Sequence, residues 1–275
     1  MNSETQFSSP WEKLLRRPVP NGHLVQIYQP GDAALARNVG RYLSEGMKRG
    51  DGLLVIPTEE NWQAISREME RLGSEVELAL QTRQLVVLDA HDALARFMRA
   101  RQPDWKLVED VVGQTMSQVR PAIDNAGLRA YGEVVGILWK SRQFSTAIRL
   151  EQFWNRLLPQ SSFSLYCGYA IDVFSSDFQI SSLDSILCTH THVVPADNGN
   201  LETAINRAME EVLGPEAAHL KLLIKANFRP SWPVMPMGES MVLWLRSHLP
   251  CKADVIVERA RHLHLALQAP SFGTN

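Results

Sequence analysis

"HLVQIYQPGDAALARNVGRYLSEGMKRGDGLLVIP", residues 23–57, decides the fold class. HLVQIY alternates and is rich in branched and aromatic residues, which reads as a strand. Pro30 and Gly31 break it. Leu35, Val39, Tyr42, Leu43 and Met47 then recur on one helical face, and this helix starts beside the capping candidate Asp32 and stops at Gly50 after Lys48 and Arg49. GLLVIP (52–57) is a second apolar strand. Two strands joined through a helix predict a parallel pair, because a parallel return needs a crossover of this length.

The pattern continues outward. Thr58 opens a helix with Glu59 and Glu60 in its first turn and a stripe of Trp62, Ile65, Met69 and Leu72. LVVLDA (85–90) predicts a third strand, covered on both faces. A helix with Leu94, Phe97 and Met98 follows, then a longer one from Asp104 to Asn125, bent near Pro121 and stopped at Gly127. LRAYGE (128–133) reads as a strand running into helical VVGILWKS. TAIRLEQFWNRLLP is a helix with Ile148, Leu150, Phe153, Leu157 and Leu158 facing inward, and FSLYCGY (163–169) returns as a strand. Strands alternating with helices predict an α/β fold, a mostly parallel sheet with helices on both faces. PADNGN (195–200) reads as a linker. Beyond it come helices near 201–213 and 215–227, a Pro-rich break at RPSWPVMPMG, and two short helices. The expected division is an N-terminal extension over 1–20, an α/β domain over 21–196 and a helical region over 201–270.

With 275 residues and a formal charge of -2, the chain gives no electrostatic reason to expect nucleic acid or an acidic membrane as partner. Its polar start lacks the apolar core of a signal peptide, and no run approaches membrane-spanning length, so the cytoplasm is the expected compartment. Cys167, Cys188 and Cys251 are odd in number and outside any C-x-x-C spacing, which argues against a disulfide framework or a cysteine zinc site.

In an open parallel sheet, ligands bind beyond the carboxyl ends of the strands. That rule gathers residues 28–32, Thr58, Glu59, Asp89, His91, Glu133 and residues 167–169 on one rim. A phosphate loop there would need G-x-x-x-x-G-K-[ST]. PGDAALARN supplies one glycine and places Asp32 and alanines where lysine and hydroxyl are needed, so a triphosphate would be repelled. Glu133 ends a strand as the acid of a Walker B motif would. G-x-S-x-G, H-E-x-x-H and G-x-G-x-x-G are absent. His190 and His192 in CTHTHVVP are expected on one face of a strand, where they suit a metal only if further ligands join them; the structural reading is preferred. Cys167 is either a nucleophile paired with His23 or small core filler. Trp139, Trp154, Tyr166, Tyr169, Tyr28 and Tyr131 feed the core, with one or two of them expected to line a pocket.

Taken in order, HLVQIY with its D-x-x-L helix and Gly-Asp turn, LRAYGEVVGILW, RLEQFWNRLLPQSSFSLYCGY and CTHTHVVP resemble the MEDS domain, the sensory domain first described in the regulator DcmR. The resemblance runs from about His23 to Pro195. It implies a fold similar to the RecA and KaiC ATPases, to which YLSEGMKRGDGLLVIPTEEN is also similar. It implies a cytoplasmic bacterial or archaeal signalling module that senses small molecules such as simple hydrocarbon derivatives, beside histidine kinase or DNA-binding modules. His23, Tyr28, Arg129, Gly132, Glu133, Cys167 and His192 fall on its motif positions. Many relatives carry cysteine inside the first motif where this chain has Val25, a departure that counts against a thiol or metal mechanism at that spot. The residues after Asn200 are too few for a kinase, so output is expected through a partner or the helical tail.

The expectation is therefore a non-catalytic sensor whose rim binds a small molecule through His23, Tyr28, Asp32, Arg129, Glu133, Trp139, Cys167 and Tyr169, without cofactor or metal. His23 and Glu133 are its polar anchors, Arg129 pairs with Glu133 or an anionic ligand, and Tyr28 and Trp139 form apolar wall. A signalling protein and a second copy of the chain are the partners considered, and membrane and DNA are not expected. The rivals are a divergent nucleotide hydrolase using Glu133 and a transcriptional regulator whose tail touches DNA.

Overall fold

The computed structural model describes residues 10–29, 31, 33–161, 163–196, 199–227 and 235–268. Its strands are β1 (His23–Tyr28), β2 (Gly52–Ile56), β3 (Leu85–Val87), the small hairpin β4 (Met98–Arg99) and β5 (Gln102–Pro103), β6 (Leu128–Gly132), β7 (Phe163–Ala170) and β8 (His192–Val194). The first helices are α1 (Pro10–Arg16), α2 (Ala34–Lys48), α3 (Glu59–Arg71), α4 (Val76–Gln81), α5 (Ala90–Phe97) and α6 (Trp105–Gln118). They are followed by α7 (Val134–Lys140), α8 (Phe144–Ser161), α9 (Ile180–Leu187), α10 (Asn200–Leu213), α11 (Glu216–Asn227), α12 (Met237–His248) and α13 (Pro250–Gln268).

Six strands form one parallel sheet in the order β3, β2, β6, β7, β1, β8. Side chains on successive residues point to opposite faces, so each buried strand feeds two cores. Leu24, Tyr28, Leu53, Val55, Tyr131 and Tyr166 pack against α1 to α4. Val25, Ile27, Leu54, Ile56, Leu165 and Cys167 pack on the other face against α5 to α9, in an apolar cluster that also takes in α10 to α13. The expected three-layer α/β fold with a C-terminal helical region is thus present.

Several local expectations are corrected. β3 spans only Leu85–Val87 at the sheet edge and is partly exposed, not covered on both faces. The helix expected to run from Asp104 to Asn125 starts as expected, with the Asp104 side chain capping Leu107, but ends at Gln118. Backbone at Val119 is extended (ψ 133°) and Pro121 follows shortly, so the chain leaves the helix before the proline instead of bending at it. Met98 opens the hairpin, whose turn holds Ala100 and Arg101 at positive φ. α4 had no sequence expectation. The inward stripe of α8 is rotated: Ala147, Leu150, Glu151, Trp154, Leu157 and Leu158 are buried, whereas Ile148 and Phe153 are not. The last two helices are 12 and 19 residues long, longer than the short ones expected.

β2 leads on to β3 on one side, while its neighbour β6 leads to β7 on the other. Opposed connections part the loops beyond adjacent strand ends, which puts the crevice between β2 and β6.

Candidate functional site

Two residues at those strand ends meet across the crevice. Thr58 caps α3 just past β2, and Glu133 lies just past β6 at the entry to α7. The pairing of Ile56 with Gly132 brings them side by side. Glu133 Oε2 accepts from the Thr58 backbone N–H at 3.1 Å, the Thr58 hydroxyl at 2.8 Å and the Asn61 amide at 2.9 Å. Its Oε1 accepts from the Tyr131 hydroxyl. The Asn61 amide also donates to the Tyr28 hydroxyl oxygen at 3.2 Å. Burial and the Glu133 charge push the Tyr28 and Tyr131 phenols above their ordinary pKa, so both stay protonated donors. This network floors a cleft of about 600 Å³ whose lining, among the described residues, carries four carboxylates, Glu59, Glu60, Asp89 and Glu133, against one lysine, Lys140. α7 approaches β7 so closely that a Cβ on Gly136 would meet the Gly168 carbonyl oxygen at 2.5 Å.

Of the residues expected at the rim, the structure brings Tyr28 and Glu133 together. Asp32 lies outside the described residues. Arg129 does not pair with Glu133: four residues along the same strand put their backbones about 13 Å apart. Its guanidinium is buried instead against Asp51 at 2.8 Å and donates to the carbonyls of Leu15, Arg16 and Tyr42. Trp139 packs against Phe144 and Tyr169 and is not part of the cleft lining. His23 starts β1 at the opposite end of the sheet from Glu133, and its side chain lies with those of Cys167 and Tyr169 on the other face.

There, His23, Glu151, Cys167 and His190 form a second cluster, fully buried, with one ligand atom from each lying within 4.8 Å of all the others. His23 Nε2 is 3.3 Å from Cys167 Sγ and 3.3 Å from Glu151 Oε2, and His190 Nε2 is 3.5 Å from Glu151 Oε1. Tyr169 donates its hydroxyl proton to Glu151 Oε1 at 2.5 Å. Burial, reinforced by nearby His23, lowers the His190 pKa to about 4, so that imidazole is neutral at physiological pH. Burial and the Glu151 charge push the Cys167 thiol well above its ordinary value, which makes it inert as a free nucleophile. His190 and His192 do not form the expected strand pair. β8 begins only at His192, while His190 lies in the turn after α9, and His192 bonds to the Thr191 hydroxyl.

Sequence reasoning missed Asn61, Glu151 and Asn155. A signal existed for Glu151: it shares an i, i+3, i+4 stripe with Ala147, Leu150 and Trp154, and a carboxylate on the buried stripe of an amphipathic helix needs a partner. Nothing comparable marked Asn61, a polar residue in the first turn of a helix.

The chain is thus a three-layer parallel α/β domain with a polar cleft at the reversal of its strand order, the place where open sheets of this class generally accept ligands. The model of the family described as "MEDS: MEthanogen/methylotroph, DcmR Sensory domain" matches residues 22–191, more than half of the chain, and the chain belongs to that family of sensory domains. The match runs from just before β1 to just before β8 and spans both polar clusters. No curated protein matches the chain.

Proposed function

We propose that the chain is a non-catalytic sensory module whose rim cleft holds a small neutral or cationic molecule. The supporting observation is the Glu133 carboxylate, fixed at the floor of the cleft by four hydrogen-bond donors. A carboxylate offers about four lone-pair sites, so one that accepts four hydrogen bonds makes a poor general base and a well-placed negative wall. The surplus of carboxylates in the lining disfavours phosphate and carboxylate ligands, which supports the sensor over the nucleotide hydrolase. Arg129, the cation expected to receive an anion, is committed to Asp51. The Tyr28 hydroxyl keeps a proton to offer, since its oxygen accepts from Asn61. The C-terminal helices share the core of the sheet, which favours output through a partner protein over a separate DNA-reading tail. No described helix is long and apolar enough to cross a membrane.

A ligand signals only through its difference in affinity for two conformations. The reading is tested by a thermal-shift screen of small alcohols, halocarbons, amines, organic acids and nucleotides, because a ligand that binds the native state raises its unfolding temperature by mass action. A neutral or cationic compound is expected to stabilise the wild-type chain and to lose most of that effect in Asn61→Ala. Stabilisation by nucleotides alone, with calorimetric binding of ATP and Mg²⁺ that Glu133→Gln abolishes, would replace the sensor with the hydrolase.

A further inference from the structure

We propose that His23, Glu151, Cys167 and His190 bind a divalent transition-metal ion, with Zn(II) the best fit, in a closed four-ligand site between the sheet and α8.

Hydrogen bonds at Nδ1 fix the tautomers of both histidines. His23 Nδ1 lies 2.8 Å from Asn155 Oδ1 and 3.1 Å from the Thr189 carbonyl oxygen. The Asn155 amide nitrogen donates to that same carbonyl at 2.8 Å, which fixes its oxygen toward His23. Both neighbours of Nδ1 are acceptors, so Nδ1 carries the proton and Nε2 presents a lone pair to the cluster. His190 Nδ1 faces the Ile186 carbonyl oxygen at 2.7 Å, with the same result for its Nε2. Imidazoles that donate Nδ1–H to a carbonyl or amide oxygen and aim Nε2 at a common centre have the arrangement of metal-ligating histidines. The carboxylate of Glu151 is held in turn by the Tyr169 hydroxyl, an outer partner of the same kind.

Without a cation this centre is frustrated. Two lone pairs and a carboxylate converge, and Glu151 Oε2 and His190 Nε2 are buried with no hydrogen-bond partner. The residues around them are completely enclosed: Glu151 is 0 % exposed, His23 and Cys167 1 % and His190 6 %. Buried orphans of this kind are uncommon and costly, and these atoms have no contact with bulk solvent. A divalent ion removes the conflict. It takes one lone pair from each of four atoms, and coordination releases the Cys167 thiol proton to solvent. Thiolate and carboxylate together then neutralise the ion, as a fully buried site requires.

The geometry fits the size. Tetrahedral Zn(II) with bonds of about 2.0–2.3 Å sets its ligand atoms about 3.3–3.8 Å apart. The two pairs made by His23 Nε2, with Cys167 Sγ and with Glu151 Oε2, are 3.3 Å each and lie at the edge of that range, and His190 Nε2 sits 3.5 Å from the other carboxylate oxygen. The separations within one four-atom set, at most 4.8 Å, contract by about 1 Å or less on binding. The mixed nitrogen, oxygen and sulfur set suits a borderline-soft ion. Four protein ligands leave no open position, so the ion would fasten β1, β7, α8 and the turn after α9 together and perform no chemistry of its own.

The test uses the full chain. Cells are grown with added Zn(II), the purified protein is measured for metal by mass spectrometry, and a second sample is refolded with Co(II). The expected result is about one zinc per chain. The cobalt form should show tetrahedral visible bands and a thiolate-to-cobalt charge-transfer band that Cys167→Ser removes. Tyr169→Phe, which deletes an outer hydrogen bond and no ligand, should weaken the metal about tenfold. Should Cys167→Ser fail to fold, the double variant Cys188→Ser, Cys251→Ser decides, because Cys167 is then the only thiol and X-ray absorption must still find one sulfur on the metal. A chain that stays metal-free after supplementation and refolding overturns the proposal. So does a metal without sulfur in its first sphere, or a charge-transfer band that follows either exposed cysteine.

Discussion

Two buried glutamates on opposite faces of one sheet have opposite surroundings. Glu133, at the carboxyl ends of the strands, accepts four hydrogen bonds and borders an open cleft. Glu151, on the inner stripe of α8, accepts one hydrogen bond from Tyr169 and faces two imidazole lone pairs in a sealed interior. A carboxylate whose oxygens are saturated by donors is complete as folded and can act as a fixed wall for something that comes and goes. One that is left short of donors away from bulk solvent is incomplete, and a positive charge would complete it. The first arrangement suits a reversible ligand, the second a resident ion.

Arg129 gives the comparison a fixed reference, because it is a buried charge that is fully paired and bears on neither cluster. Arg129→Ala would leave Asp51 buried without its partner and free the carbonyls of Leu15, Arg16 and Tyr42. The expected loss is about 3–5 kcal/mol, the largest of the series. Denaturant unfolding measures it, and a loss below about 1 kcal/mol would mean that this pair is solvated in solution. Glu133→Ala should cost less, about 1–3 kcal/mol, since it strands the donors of Thr58, Asn61 and Tyr131 beside a cleft that water can enter. It should also remove ligand-induced stabilisation altogether, which Arg129→Ala, if folded, should not. Equal ligand stabilisation in wild type and Glu133→Ala would separate the carboxylate from the binding site.

The sheet was legible because its signal is local: HLVQIY, GLLVIP, LRAYGE and FSLYCGY are apolar runs punctuated by helices, and each appears as a strand. The rim was legible through the general rule on strand ends, which grouped Thr58 with Glu133 before their hydrogen bond was visible. What escaped was parity. A strand sends alternate residues to opposite faces, so His23 and Tyr28, five apart on β1, serve different cores. Grouping them at one rim ignored that alternation and the length of the strand between them. The buried cluster was illegible for a further reason. Its four residues, His23, Glu151, Cys167 and His190, come from four separate stretches of chain, with no short spacing that a motif could capture. Its hints were the pairing of Cys167 with His23, the histidine His190 in need of further ligands, and the polar residue on the stripe of α8.

The smallest expected effect is the most discriminating, because its sign depends on what fills the second cluster. In Glu151→Gln the oxygen at the Oε1 position can still accept from Tyr169, while the amide at the Oε2 position faces the Nε2 lone pair of His23, 3.3 Å away, and can donate to it. In metal-stripped protein the change removes a buried charge and replaces the orphaned Oε2 by a donor, so stability should be unchanged or higher by about 1 kcal/mol or less. In zinc-loaded protein the same substitution replaces an anionic ligand with a weak neutral one and lowers the unfolding temperature relative to wild type. Thermal unfolding of both proteins, with Zn(II) and after refolding in chelator, reads the crossing directly. If Glu151→Gln destabilises the metal-stripped chain as strongly as Glu133→Ala does, the carboxylate is satisfied by a proton held between Glu151 and a histidine. The two glutamates would then be alike in being complete as folded, and different only in how far they lie from water.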